Sequence, residues 1–205
     1  DFKFKTNLTF SLLIRQHMGR RAFRNPDKES ESRRSAEMRG SEALLSLLRW
    51  CCFAAADVTV DTAAGAHYLA QIAGPSAVQV PDSSGASIPF HVVAPGLVLM
   101  SAWSDVRLSH YLGEHLGAAT PRTVIDPTKI RDHLAVIKSN GFAWTDQQLD
   151  LEVNGVAVPV IDTEGSVVAA ISLYGPAYRL NPTTAPGLGA QLAAIVTAAA
   201  TIALG

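Results

Sequence analysis

The chain has 205 residues, of which 48% are hydrophobic and 17% are charged, so it can bury one sizeable core. This composition excludes a long disordered chain, and no apolar run reaches the roughly 18 residues that a membrane-spanning helix needs. We therefore expect no membrane partner. The first five residues contain no apolar signal core, which predicts a cytoplasmic location, and a start without methionine is equally expected of a piece of a longer protein.

The net charge of −1 hides two halves of opposite sign. Residues 1–39 contain ten Lys and Arg against five Asp and Glu, whereas residues 40–205 contain seven against thirteen. A basic arm on an acidic domain suggests a polyanion near the N-terminus. An ordinary solvated helix would show the same pattern, so both interpretations stay open.

The first 53 residues read as a hairpin followed by helical segments. Alternating apolar residues within residues 1–24 are typical of a short hairpin, and residues 25–27 break it. Residues 28–39 are densely charged and compatible with a helix, and residues 43–48 carry one apolar helical face. Cys51 and Cys52 are adjacent within an apolar stretch, so we expect buried, unreactive thiols and no useful disulfide between them.

Extended segments dominate after residue 53. Residues 56–61 and 66–72 are predicted strands around a turn at Gly65, and residues 78–80 and 88–90 are short extended pieces. Residues 94–103 are predicted as a helix, and Ser104 is a candidate cap for a second helix that runs to residue 113.

The next predicted helix has strong signals at both ends. Asp126 is a candidate N-cap with a proline behind it, and Gly141 ends the helix. Residues 156–160 and 167–174 are predicted strands joined by a turn with Gly165, and residues 186–204 form a closing helix. Hairpins with helices on their faces predict an α+β fold around one antiparallel sheet.

Motifs for enzyme chemistry are missing from the sequence. It contains no nucleophile elbow, phosphate-binding loop, dinucleotide fingerprint or Cys-x-x-Cys pair. His110, Glu114 and His115 do not match the spacing of helical zinc ligands. We therefore predict no catalytic residue, no metal, no cofactor and no enzyme activity. His91 is interpreted as a structural histidine, with ligand contact as the alternative, and Trp103 and Trp144 as core residues.

Three segments in order resemble one protein family. Residues 88–96 read Ile-Pro-Phe-His-Val-Val-Ala-Pro-Gly, and residues 126–146 form a helix that ends at Gly-Phe before an acidic run. Residues 155–176 then contain Val-Pro-Val, Asp-Thr-Glu-Gly and Ala-Ala-Ile-Ser-Leu-Tyr-Gly-Pro. Together these segments resemble the effector-binding domain of IclR-type transcriptional regulators. The resemblance implies a GAF-like antiparallel sheet of about six strands flanked by helices.

The resemblance also implies a cleft for a small organic acid. Backbone N–H groups at the helix start would form an anion cradle, although Pro95 removes one donor. In this chain Gly155 would enlarge the cleft and Tyr174 would refill it, which favours an aromatic or otherwise bulky acid. A bend at Gly155 and core packing of Tyr174 are the structural alternatives. The implied effector-binding residues are Ala94, Pro95, Gly96, Thr145, Gly155, Ser172 and Tyr174.

The family's DNA-reading half, a winged helix-turn-helix, is not recognisable here. We interpret residues 1–24 as a remnant of its wing and linker helix, and residues 25–205 as the effector-binding domain. The expected partners are DNA, through an N-terminal domain mostly outside this chain, and further copies in a homodimer or homotetramer. A sensor module without DNA binding is the main alternative, and a GAF-fold enzyme is a weaker one. The candidate contacts to DNA phosphates are Lys3, Lys5, Arg20 and Arg21.

Overall fold

A computed structural model describes residues 55–74, 80–114 and 116–204 of the chain. The predicted hairpin, the charged segment, both cysteines and the four candidate phosphate contacts lie outside the described residues, and so does most of the extended piece at 78–80. No helix within the described ranges is long and apolar enough to cross a membrane.

The core of the fold is one six-stranded sheet. Its strands are β1 (Ala55–Thr62), β2 (Gly65–Ala73), β3 (Ser87–Ile88), β4 (Ala143–Asp150), β5 (Val153–Ile161) and β6 (Val167–Pro176). Their order in the sheet is β3-β2-β1-β6-β5-β4, and every pair of neighbouring strands is antiparallel. This arrangement confirms the predicted α+β class and the predicted sheet.

Four helices and one short 3-10 turn (Phe90–Val92) complete the described part of the chain. The Ser104 side chain accepts the Arg107 N–H at the start of the helix that follows it, as predicted, and Asp126 accepts two N–H groups at the start of the next helix. The helices are α1 (Ala94–Ser101), α2 (Asp105–Leu112), α3 (Pro127–Asn140) and α4 (Ala185–Leu204).

The sheet buries both faces, each against a different helix. On one face α1 packs over small strand residues, Ala143, Ala157 and Ala170, whose short side chains allow the helix to lie close to the sheet. The other face carries Val156, Val158, Ile171 and Leu173 and packs against α4. Because side chains alternate along each strand, the small residues face α1 and the branched aliphatic residues face α4.

β4 is a strand that apolar patterning did not single out. Its sequence, Ala-Trp-Thr-Asp-Gln-Gln-Leu-Asp, is mostly polar, yet it pairs with β5 from Ala143 onward. The pairing is interrupted after Asp146, where Gln147 adopts a left-handed φ of 55° and donates its N–H to the Asn154 Oδ1 at 2.7 Å. Partners on β5, not the propensity of the segment, determine this strand.

Replacing Gly141 with alanine should destabilise the fold by about 1 kcal/mol. Gly141 ends α3 with a left-handed φ of 75°, and no heavy atom lies near the position of an added Cβ. The cost is therefore conformational, since an L-residue resists this backbone region. Urea unfolding of Gly141→Ala should show a lower midpoint with an unchanged m-value, and an unaltered midpoint would contradict the capping role.

Candidate functional site

A cavity of about 720 Å³ opens at the N-terminal end of α1, on the face of the sheet that α1 covers. Its floor comes from β4, β5 and β6, and the segment around residues 80–83 forms one side. Apolar groups provide most of the wall, and a few polar groups converge on it, as is usual for small-molecule sites. The polar residues that line it are Tyr68, Ser83, Thr145, Gln147, Asp150, Glu152, Asn154, Ser172, Tyr174 and Tyr178.

Six of the seven residues named from the sequence line this one cavity. Ala94 and Pro95 approach from α1, while Thr145, Gly155, Ser172 and Tyr174 belong to the sheet. Sheet register explains the convergence, since Gly155 lies opposite Thr145 on one side and opposite Tyr174 on the other. These three positions therefore form one row across three strands.

Gly96 is the seventh residue, and it is not among those that line the cavity. A Cβ at this position would lie 2.1 Å from the Phe90 carbonyl oxygen and 2.7 Å from the Phe90 Cα. Glycine here allows α1 to pass directly over the backbone of the 3-10 turn. The structure thus gives Gly96 a packing role, separate from any contact between its N–H and a ligand.

The start of α1 offers N–H groups towards the cavity end of the helix. The Leu97 N–H is bonded back to the Val93 carbonyl at 3.0 Å, so the N–H groups before it have no partner of the helical type. Pro95 carries no N–H, as the sequence indicated. This helix start can therefore supply fewer donors to an anion than a start without proline.

Gly155 lies where a side chain would crowd both β4 and α1. An added Cβ would lie 3.1 Å from the Thr145 Oγ1 and 3.6 Å from the Ala94 Cβ, between β4 and α1. Tyr174, in the next strand of the same row, is half-buried and reaches the cavity wall with its ring. The enlarged and then refilled cleft stays a prediction.

Asp57 is a buried polar residue that the sequence reasoning missed. It lies on β1 opposite Ser172, and its carboxylate accepts the Ser172 hydroxyl at 2.5 Å and the Thr59 hydroxyl at 2.7 Å. Burial raises the pKa of Asp57 from 3.8 to about 7, although the hydrogen bonds from Ser172 and Thr59 lower it. An acidic residue near the start of the strand Ala-Asp-Val-Thr-Val-Asp was the only available signal.

Gln71 is a second residue that was not predicted. From β2 its Oε1 accepts the Tyr174 hydroxyl at 2.7 Å and the Ser83 N–H at 2.9 Å. Its Nε2 donates to the Pro81 carbonyl at 3.2 Å. Gln71 therefore links the sheet to the segment that forms one side of the cavity.

Side-chain charges at the cavity are all negative. Of the described residues that line it, none is a lysine, an arginine or a histidine, and both Asp150 and Glu152 lie exposed near its edge. Buried Tyr68 lies near Asp57, and burial together with that carboxylate raises the pKa of Tyr68 well above its ordinary value. A bound anion would therefore depend on backbone N–H groups and neutral side chains, not on a cationic side chain.

Other residues considered from the sequence have structural contacts. His91 lies between the Tyr111 hydroxyl, at 2.8 Å, and the Gly117 carbonyl, at 2.9 Å, as a structural histidine would. Burial lowers the pKa of His91. Trp103 packs against the α1 core and donates its Nε1–H to Asp61, while Trp144 packs against the α4 core. None of these three side chains lines the cavity.

Comparisons with known proteins agree on one family. Residues 54–203 match the model described as the C-terminal domain of the bacterial transcriptional regulator IclR. The chain is 32% identical over 97 residues to the Pca regulon regulatory protein of Pseudomonas putida, which covers 47% of this chain and 33% of that protein. The chain thus spans about a third of the length of that relative.

Solved structures share the fold. The chain is similar to the IclR protein of Thermotoga maritima, with a TM-score of 0.71, 18% identity and coverage of 82% of this chain and 67% of the other. It is also similar to an IclR homologue of Microbacterium hydrocarbonoxydans in complex with 4-hydroxybenzoate, with a TM-score of 0.69, 20% identity and coverage of 86% and 70%. On the strength of the match across residues 54–203, the chain belongs to the IclR family of bacterial transcriptional regulators.

Proposed function

We propose that this chain is the sensing part of a ligand-responsive transcriptional regulator and that its cavity binds a small organic acid without turnover. The convergence of Ala94, Thr145, Gly155 and Tyr174 on one cavity carries the proposal. Membership of a regulator family supports the regulatory role, and the 4-hydroxybenzoate complex of the Microbacterium homologue supports the class of ligand.

The proposal places the carboxylate of the ligand at the start of α1 and its apolar body over Gly155. The partial positive charge of a helix N-terminus favours an anion, and no competing cation lines the cavity among the described residues. Gly155 adds no side chain to the part of the cavity wall between Thr145 and Ala94. An aromatic or otherwise bulky acid fits the cavity of about 720 Å³ better than an acid of two or three carbons.

Binding would act on DNA through the other half of the regulator. In this proposal residues 1–24 are the end of a winged helix-turn-helix, residues 25–205 are the sensing domain, and the protein works in the cytoplasm as a homodimer or homotetramer. Lys3, Lys5, Arg20 and Arg21 would contact DNA phosphates and carry no base specificity. Ligand binding would change the arrangement of sensing domains and so the spacing of the DNA-binding heads.

A thermal-shift series with benzoates and short aliphatic acids tests the ligand class. At a hundred-fold excess over the dissociation constant, a ligand that binds only the folded chain stabilises it by about 2.7 kcal/mol. We expect such a shift with at least one aromatic acid and a smaller one with acetate. If no carboxylate raises the melting temperature, the organic-acid assignment is wrong.

Replacing Gly155 with alanine should weaken binding of the best aromatic acid by about tenfold, because one methyl group in a fitted pocket changes affinity on that scale. The matched control is Gly187→Ala on α4, where an added Cβ meets open space. Isothermal titration of both variants measures the effect. Equal affinities of the two variants would place the ligand away from Gly155.

A further inference from the structure

The hydroxyl of Tyr174 has a fixed hydrogen-bond direction. Its partner is the Gln71 Oε1 at 2.7 Å. Two backbone groups determine which end of the Gln71 amide is the oxygen. The Ser83 N–H can only donate, so the atom that faces it at 2.9 Å is Oε1, and the Pro81 carbonyl can only accept, so the atom that faces it at 3.2 Å is Nε2.

A carbonyl oxygen cannot donate, so Tyr174 must give its only hydroxyl proton to Gln71. Asp57 lies near that hydroxyl, and above its pKa of about 7 its ionised carboxylate can only accept. Both groups behind Tyr174 therefore attract the proton away from the cavity. What remains on the cavity side of the phenol oxygen is its lone pairs.

Ser172 also donates its hydroxyl proton to a residue behind the cavity wall. It is fully buried in the floor of the cavity and gives its hydroxyl proton to Asp57 at 2.5 Å. Thr59 donates to the other oxygen of the same carboxylate at 2.7 Å. No described lysine, arginine or histidine lines the cavity to reverse this polarity. The floor near Tyr174 thus accepts hydrogen bonds, whereas the start of α1 donates them.

We propose that Gln71 and Asp57 orient Tyr174 as a hydrogen-bond acceptor, and that the ligand of this cavity carries a hydroxyl or amino group which donates to the Tyr174 oxygen. This inference rests on the proposed function, because it adds a second polar group to the organic acid. The ligand class becomes a hydroxylated or aminated acid, with its carboxylate at α1 and its donor at Tyr174. Gln71 is then a positioning residue for specificity.

Matched benzoates separate a donor from an acceptor at this position. At pH 8, 3- and 4-hydroxybenzoate and 4-aminobenzoate can donate, whereas the fluoro and methoxy analogues of the same rings can only accept. We expect the donors to bind the full chain at least about tenfold more tightly than their matched non-donors, as measured by isothermal titration. Equal binding, or tighter binding of the methoxy acids, would overturn the inference.

Variants test the two residues separately. Tyr174→Phe removes the acceptor and should reduce the preference for donors, taken as the ratio of affinities within each matched pair, to less than about threefold. Gln71→Met removes the group that orients Tyr174 and should reduce the preference, whereas Gln71→Glu retains an acceptor oxygen and should keep it. A preference that survives in Tyr174→Phe would contradict the assignment of the donor to this residue.

Neutral analogues keep the two proposals distinguishable. If benzoates fail to bind but 4-hydroxybenzamide binds more tightly than benzamide and loses this advantage in Tyr174→Phe, the organic-acid assignment is wrong and the donor inference stands. If all benzoates bind equally well, the organic-acid proposal stands and the donor inference is wrong. Failure of every compound to bind would overturn both.

Discussion

The free energy of unfolding should fall by about 2 to 3 kcal/mol between pH 5 and pH 8 because of Asp57 alone. Burial raises the pKa of this carboxyl to about 7 in the folded chain, against an ordinary value of 3.8. Between these two values the folded state holds a proton that the unfolded state has released. Stability is therefore fully present below pH 3.8 and is lost as the pH rises through about 7.

The neutral variant Asp57→Asn should remove this dependence. Its amide can still accept one hydroxyl and donate to the other, so Ser172 and Thr59 keep a partner. Chemical unfolding of both proteins between pH 5 and pH 8 gives the difference in stability at each pH. We expect that difference to change by about 2 to 3 kcal/mol in favour of the variant as the pH rises.

Two comparisons separate the effect of Asp57 from the effects of other ionisable groups. His91 has a lowered pKa and changes the free energy of unfolding in the opposite direction, because the stability that it contributes is lost as the pH falls below 6.5. Since His91 is present in both proteins, its contribution cancels in the difference. Asp132→Asn makes the same charge change on the exposed side of α3. If the free energies of unfolding of Asp57→Asn and the wild type change with pH in the same way, Asp57 ionises in the folded chain as it does in the unfolded one, and the prediction is wrong.

Replacing Gly96 with alanine should destabilise the chain by about 3 kcal/mol or more, at the upper end of what overpacking costs. The added Cβ would meet the Phe90 carbonyl oxygen at 2.1 Å, and backbone atoms cannot move aside as the end of a flexible side chain can. α1 would have to lift off the 3-10 turn. That movement would also open its contacts with Ala157 and Ala170 on the sheet.

The control for this substitution is again Gly187→Ala, which adds the same methyl group to a helix without a neighbour in contact. That variant should be neutral or slightly more stable, since alanine favours a helix over glycine by up to about 1 kcal/mol. Urea unfolding compares the two variants. A loss below about 1 kcal/mol in Gly96→Ala would mean that α1 and the turn can separate easily.

The two glycines near the site illustrate where sequence reasoning reaches its limit. The sequence placed Gly96 in an anion cradle by resemblance, but the contact with Phe90 depends on where the chain folds back, which residue spacing does not reveal. Gly155 differs, because its place on the cavity wall follows once the register puts Thr145 and Tyr174 beside it. Which residues pair across strands depends on the register of the whole sheet.

The sequence by itself determined the elements whose signals are local. Strand alternation predicted β1, β2, β5 and β6, and caps at Ser104, Asp126 and Gly141 predicted the ends of two helices, because these signals depend on neighbours within one turn. Resemblance added the family and six of the residues that line the cavity. Only the tertiary structure decided that β4 is a strand, because its hydrogen bonds come from β5 and its polar residues Thr145, Gln147 and Asp150 line a cavity. Tertiary structure also decided which groups of the cavity wall donate hydrogen bonds and which accept them. Asp57, Gln71 and Tyr174 come from three different strands, so the direction of these hydrogen bonds is set only when the strands come together.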